Sequence, residues 1–495
     1  MAVINMAKIN KDKLMRIEDC EKMDISQVWE YYRDYVNPGQ VELISSFGFG
    51  QELVNKAYAC TIETQFGKQI LDFTGGIGVL NHGHNHPRIL AARERFQKKQ
   101  FMEVHKNYFS PYLAALSHNI AQLLPGDLNI AYFPNSGAEA VEGAMKMAYK
   151  YHQGQRHFIL HSDISYHGKL FGAGSISASR ELHFRFPEIS GCESYEYGSI
   201  QSIKKLVATR LQENGESDIY AIILEPMSAS SLRQCSYEFL QQLRQLCDEN
   251  KIILIFDEVF TGWAKTGELF YFMRYDVLPD IVVTSKALGG GKASIAGYVA
   301  RTPVFKQAYG QLADTTLHST TYNGFGEECF TALEALNIII DDDYIARGQQ
   351  IYQQLNGGLN GLQNEFPKII SEVRGVGALN GIVLATGPEI LTKLTSLVPG
   401  SFFQDDRFIQ KLVTAAVINE LYNQHHILTY YGENREIVLM AAPSLVIEDA
   451  QIEQFLVALK ACFTQGLLKL CIKFVQSKIF AKFLMLNKSR HKVAN

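Results

Sequence analysis

The stretch KIILIFDEVF (251–260), read together with DIVVTSKALGGG (280–291), decides the fold. The first runs apolar from Ile252 to Phe256 and stops on Asp257. The second is apolar through Ile281–Val283 and presents Lys286 just before Gly289–Gly291. Short β-branched runs of this kind read as strands buried on both faces of a parallel sheet. In an open α/β sheet, ligands sit outside the carboxyl ends of the strands. A carboxylate and an amine, each just past such an end, are therefore candidates for one site.

From about residue 100 to 335, strand patterns alternate with helical ones. The strand candidates are Ile130–Phe133, His157–Leu160, Tyr220–Leu224, Ile252–Phe256 and Ile281–Thr284; helical patterns such as Ala138–Tyr151 and Tyr237–Glu249 follow. That alternation predicts an α/β fold with a mostly parallel, doubly wound sheet. Beyond it, VRGVGALNGIVLA (373–385) and EIVLMAAPSLVI (436–447) are strand candidates of a smaller α+β lobe. The expected organisation is residues 1–100 as the N-terminal part of a small domain, 101–335 as a large domain, 336–466 as the rest of the small domain, and 467–495 as a tail. The tail has no acid, and Lys469, Lys473, Lys478 and Lys482 recur on one helical face. Such a helix either lies on an anionic membrane surface or docks on its own domain with its lysines in water.

A chain of 495 residues exceeds the usual single core, so two lobes are expected. It is 47% hydrophobic and 20% charged with a net charge of −4, which gives no sign of nucleic-acid binding. There is no apolar run of membrane-spanning length, and the charged, interrupted N-terminus does not read as a signal peptide. Eight cysteines without a CxxC or a paired framework read as reduced thiols of a cytosolic protein.

The strand ends carry the chemistry. Ile130–Phe133 runs into Asn135-Ser136-Gly137-Ala138, where a helix begins with a capping hydroxyl, a flexible backbone and unpaired amides. That is a ready site for a phosphate. His157–Leu160 leads to Tyr166-His167-Gly168, an aromatic able to stack on a flat heterocycle. Tyr220–Leu224 ends at Glu225, a carboxylate costly to bury without a partner. Five strand ends thus supply a phosphate cradle, an aromatic, two carboxylates and a lysine, the set that pyridoxal 5'-phosphate requires. Lys286 would hold its aldehyde as a Schiff base and later shuttle a proton. Asp257 would keep the pyridine nitrogen protonated, because an adjacent anion favours the charged ring. Val259, on the same strand side as Asp257, would pack one ring face and Tyr166 the other.

At this point the chain resembles the class III aminotransferases, fold type I pyridoxal-phosphate enzymes that include the ornithine, acetylornithine, putrescine and diaminobutyrate aminotransferases. The resemblance covers roughly residues 45–460 through LDFTGGIGVLNHGHNHP, FPNSGAEAVEGAMK, YHGK, ILEP, FDEV, DIVVTSKALGGG and HSTTYNG, in family order. It implies Lys286 and Asp257 as catalytic residues. For the cofactor it implies Ser136, Gly137, Ala138, Tyr166, His167, Glu225 and Val259, with Thr321 of HSTTYNG reaching the phosphate from a neighbouring subunit. A homodimer with a shared site follows. His82, His84 and His86 match a structural loop of the family rather than a metal site.

Three departures bear on substrate. Family members that bind an α-carboxylate follow Glu-Pro with Gly-Glu, whereas this chain reads EPMSASS. The family's late arginine falls at Met440, and Arg435, five residues away along an expected strand, would point to the opposite face. A glutamine common after DEV is Phe260 here. A bidentate arginine is the usual carboxylate grip. The expectation is an aminotransferase moving an amino group between a terminal or ω-amine and an aldehyde or keto acceptor. A pyridoxal-phosphate-dependent aminomutase or racemase/epimerase on the same scaffold, or a catalytically silent binding scaffold, is the alternative.

Overall fold

The computed structural model describes residues 14–178, 186–386, 406–477 and 479–484. Strands β1 (Val54–Tyr58), β2 (Thr61–Thr64) and β3 (Gln69–Asp72) pair antiparallel. The central sheet follows, built from β4 (Leu128–Tyr132), β5 (Phe158–Ser162), β6 (Cys192–Tyr195), β7 (Ile219–Leu224), β8 (Ile253–Asp257), β9 (Ile281–Thr284) and β10 (Gly297–Arg301). Its order is β4-β10-β9-β8-β7-β5-β6. Strands β5 to β9 pair in parallel, and β10 runs antiparallel between β9 and β4.

Every residue of β7, β8 and β9 is buried, as a strand covered on both faces requires. Side chains alternate between the two coverings. Ile222, Leu224, Leu254 and Phe256 pack with Leu240 and Leu243 of the helix Tyr237–Asn250. Ile223, Ile255, Ile281 and Val283 pack with Ala140, Val141 and Ala144 of the helix Gly137–Tyr151. The expected doubly wound α/β sheet is therefore present, and two strands join it that the apolar pattern did not reveal, β6 and β10.

One strand candidate of the expected smaller lobe forms differently. The run 373–385 is a hairpin: β11 (Ile370–Val376) turns at Gly377 into β12 (Leu379–Leu384). Gly377 has φ +60, and a Cβ there would lie 2.3 Å from the carbonyl carbon of Thr266, so only glycine makes this turn. Strands β13 (Ile427–Leu428), β14 (Tyr431–Glu433) and β15 (Ile437–Ala441) follow, giving a sheet ordered β11-β12-β15-β14. Strand β13 pairs in parallel with β3, which joins the two ends of the chain in one sheet.

The tail helix Leu467–Gln476 buries Leu470, Cys471 and Phe474, and Phe480 and Phe483 beyond it are buried too. Lys473 bonds Glu420 at 2.6 Å and Lys482 pairs with Glu42 at 3.7 Å. The described part of the tail thus packs its buried side chains on the protein. Its apolar side is spent on the protein, while Lys478 lies outside the described residues.

Candidate active site

Asp257 is the last residue of β8, at 5% exposure. The Val259 amide donates to its Oδ1 at 3.0 Å, and His167 Nδ1 lies 2.7 Å from its Oδ2. An ionised carboxylate only accepts, so Nδ1 carries the proton and His167 orients the acid. Each carboxylate oxygen keeps a second lone pair for a further donor. Glu225, one strand over, accepts from the Tyr166 amide at 2.9 Å and the Ala229 amide at 3.0 Å. Burial pushes its carboxyl up to about 7, nearby Asp257 adding to the rise while His167 and the two amides oppose it.

Lys286 follows β9 in a left-handed backbone conformation, φ +49, which is uncommon for a residue with a side chain. Its amine lies 3.9 Å from the centre of the Phe260 ring. Burial pushes the amine down to about 8, against the opposing pull of Asp257 and Glu225. The pocket therefore brings the lysine close to its neutral, nucleophilic form near physiological pH.

Close glycine contacts join the remaining strand ends to this centre. Ser136 caps the helix Gly137–Tyr151, its hydroxyl oxygen accepting from the Glu139 amide at 3.3 Å. The Gly137 and Ala138 amides have no helical acceptor. A Cβ on Gly137 would sit 3.2 Å from Val259 and 3.5 Å from Ser285, so this helix start abuts the ends of β8 and β9. A Cβ on Gly168 would meet Ala138 at 2.7 Å, which sets the Tyr166-His167-Gly168 loop against the same helix start. Ser136, Gly137, Ala138, Tyr166, His167, Glu225, Asp257, Val259 and Lys286 thus converge at one sheet edge. Thr321 lies exposed in the turn after β10 and the helix Thr302–Tyr309, and the carbonyl of its neighbour Tyr322 accepts from Asn135, next to Ser136, at 3.5 Å.

The departures from the resemblance lie together in space. A Cβ on Gly432 would meet the Ser230 carbonyl at 2.1 Å and Met440 Sδ at 3.4 Å. Ser230 Oγ accepts from Asn434 Nδ2 at 3.0 Å. Met440 is fully buried in a cluster with Met227, Leu232, Val438 and Phe260. Phe260, against the Lys286 amine, belongs to the same apolar cluster as Met440. Arg435 requires a correction: it lies before β15 begins, in the turn after β14, so strand alternation does not apply to it. Its guanidinium pairs with Asp163 instead.

His82 and His84 have other partners than a metal: His82 Nε2 faces the Ala335 carbonyl at 2.9 Å, and His84 Nε2 faces Asp72 at 2.9 Å. Sequence reasoning missed Lys265, which has no exposed surface and donates to the Ala442 and Pro443 carbonyls at 3.0 and 2.5 Å. It follows Asp257–Phe260 by a few residues, in a Gly- and Thr-containing turn (TGWAKTG, 261–267) that gave no clear signal.

An open, mostly parallel sheet with a lysine and a carboxylate at adjacent strand ends is the fold of type I pyridoxal-phosphate transferases. Solved structures agree in fold. The ornithine aminotransferase from Toxoplasma gondii ME49 matches with a TM-score of 0.74 at 21% identity, over 90% of this chain and 98% of that one. A transaminase from the marine bacterium Virgibacillus matches at 0.73 and 21%, over 86% and 94%. An (S)-enantioselective omega-transaminase from Thermomicrobium roseum matches at 0.71 and 22%, over 84% and 93%. The model of the family Aminotransferase class-III matches residues 50–463, and the chain belongs to that family. It is a pyridoxal-phosphate-dependent aminotransferase.

Proposed function

We propose that this aminotransferase takes a terminal amine without an α-carboxylate as donor and passes its amino group to an aldehyde or ketone. The observation that carries the reading is Met440, fully buried in an apolar cluster against Ser230 where the family has an arginine and its acid partner. A carboxylate brought here would be desolvated without a cation.

The roles of the site residues belong to the same proposal, and the chain's residues fit the cofactor. Lys286 offers a half-buried amine whose pKa is pushed down to about 8. The first amides of the helix Gly137–Tyr151, beside the side-chain-free Gly137, suit a phosphate. Asp257, held by His167 and Val259, has lone pairs left for a protonated ring nitrogen. When bound, pyridoxal phosphate supplies the electron sink for negative charge on the carbon next to nitrogen. Lys286, freed as an amine, would shuttle a proton between that carbon and the cofactor carbon on the far side of the nitrogen. Asp257 would keep the ring charged and Tyr166 and Val259 would bracket it, while Glu225 fixes the Tyr166 loop through its amide. Phe260 and Met440 exclude water from the amine's apolar part.

A homodimer in which Thr321 completes the partner's site is also proposed. Tyr108, Phe109, Leu312, Leu317 and Tyr322, all exposed, support it. Lys106 reaches the Thr320 carbonyl at 2.7 Å, which sets the segment leading to Tyr108 and Phe109 beside the turn that carries Thr321. A cytosolic setting is proposed from the eight unbridged cysteines.

A panel of amine donors tests the reading. Terminal amines should be turned over at concentrations where glutamate is not; efficient use of glutamate would overturn it.

A further inference from the structure

Strand register places Tyr430 against the site where the arginine is missing. Tyr431 pairs with Leu439, so Tyr430 stands opposite Met440, whose amide donates to the Tyr430 carbonyl at 2.9 Å. Directly opposed residues share a face. The two neighbours fall accordingly: Tyr431 and Leu439 pack into the main core, while Tyr430 and Met440 pack into the cluster that contains Phe260. Among the described residues, the Tyr430 hydroxyl is buried and has no hydrogen-bond partner. A buried hydroxyl left this way is unfavourable unless something bonds it.

We infer that Tyr430 is a specificity-determining residue, whose hydroxyl receives a neutral hydrogen-bonding group at the far end of the amine substrate. The inference rests on the proposed use of a terminal amine. The surrounding charges decide against an ionic group. Arg435 is paired with Asp163, Arg374 is shared between Glu372 and Glu436, and Lys265 is turned onto two backbone carbonyls. Two further cations border the cluster away from Tyr430: Lys286, on the Phe260 ring, is the amine proposed to hold the cofactor, and Arg274 lies 5.9 Å from the centre of the Tyr271 ring. An ammonium is equally unsupported: Asp72, the carboxylate nearest in effect to Tyr430, is engaged by Thr74 and His84. A hydroxyl, carbonyl or amide on an apolar chain is the group that satisfies the phenol and leaves no charge stranded. The ligand is thus a primary amine at one end, with apolar carbons along Phe260 and Met440 and one neutral polar group beyond them.

The test uses holoenzyme and its Tyr430→Phe variant. Relative kcat/KM is measured for hydroxyl-terminated against methyl-terminated primary amines of matched length, over a series of chain lengths. The parent should prefer the hydroxyl-terminated amine at one length, and the variant should lose about tenfold of that preference, equivalent to about 1.4 kcal/mol. The variant's melting temperature should be unchanged or raised, because the hydroxyl has no protein partner to lose. A parent without the preference, or a preference surviving in the variant, overturns the inference and leaves the terminal-amine reading standing. A variant that melts several degrees lower also overturns it, since the hydroxyl would then be bonded in the free enzyme. A parent that turns over neither amine and uses glutamate defeats the proposed function, and this inference with it.

Discussion

Replacing Met440 with arginine tests the physical claim beneath the substrate reading. Met440 has no exposed surface, its sulfur lies beside Gly432, and it shares an apolar cluster with Met227, Leu232, Val438 and Phe260. An arginine there would carry its charge into an apolar cluster whose nearest counterpart in the family pattern is Ser230, already bonded to Asn434. A buried charge left without its partner typically costs about 3–5 kcal/mol. Adding Ser230→Glu supplies the acid, because Ser230 and Met440 flank the same glycine. Directly coupled pairs of this kind show interaction energies of about 0.5–3 kcal/mol. Urea denaturation of the parent, Met440→Arg, Ser230→Glu and the double variant gives the cycle, and loss of the visible cofactor band on adding glutamate gives function. The double variant should be more stable than the sum of its parts and should be the one that responds to glutamate. If Met440→Arg alone is as stable as the parent, the site already holds a partner for a cation, and the argument for a clampless pocket fails.

Three further outcomes follow from the packing and the charges. For Lys286→Met in the cofactor-free protein, the folded amine pKa of about 8 lies below the unfolded value. The unfolded chain binds that proton more tightly, so the parent's stability rises with pH between the two values; the variant should be more stable by up to about 3 kcal/mol at neutral pH, the gain fading by about pH 10.5. Denaturation midpoints across that range check it, and a pH-independent difference contradicts it. Gly75→Ala would place a Cβ 2.6 Å from the Ala442 carbonyl oxygen at φ +52. It should lose about 1–3 kcal/mol, read in the same midpoint. Phe474→Ala in the docked tail should cost about 3–5 kcal/mol, and the parent should not sediment with anionic vesicles; a neutral substitution would mean the helix is not held.

How much was legible depended on whether a residue's role is local. Strands β7, β8 and β9 read directly because continuous β-branched runs have one comfortable place, buried on both faces. Strand β6, CESY (192–195), carries no apolar run, as an edge strand need not, and could not be read that way. The hairpin at Gly377 was hidden because small and apolar residues continue through the turn. Lys286, Asp257 and Glu225 were visible as polar residues ending apolar strands, but the His167 contact to Asp257 joins positions 90 residues apart. The loss of the acid and the arginine was readable one position at a time, and only the fold places them on either side of Gly432. Arg435 was misjudged because the alternation argument assumed a strand two residues longer than the one that forms. Tyr430 depends wholly on register, which no local pattern states.

The central claim is that a Lys286-bound cofactor accepts amino groups from amines that lack a carboxylate. The most direct measurement incubates holoenzyme with single amines, without acceptor, and follows the visible cofactor band. The account predicts that terminal amines bleach the band, that glutamate at the same concentration leaves it, and that Lys286→Ala shows neither the band nor bleaching. Bleaching by glutamate with terminal amines inert would contradict it.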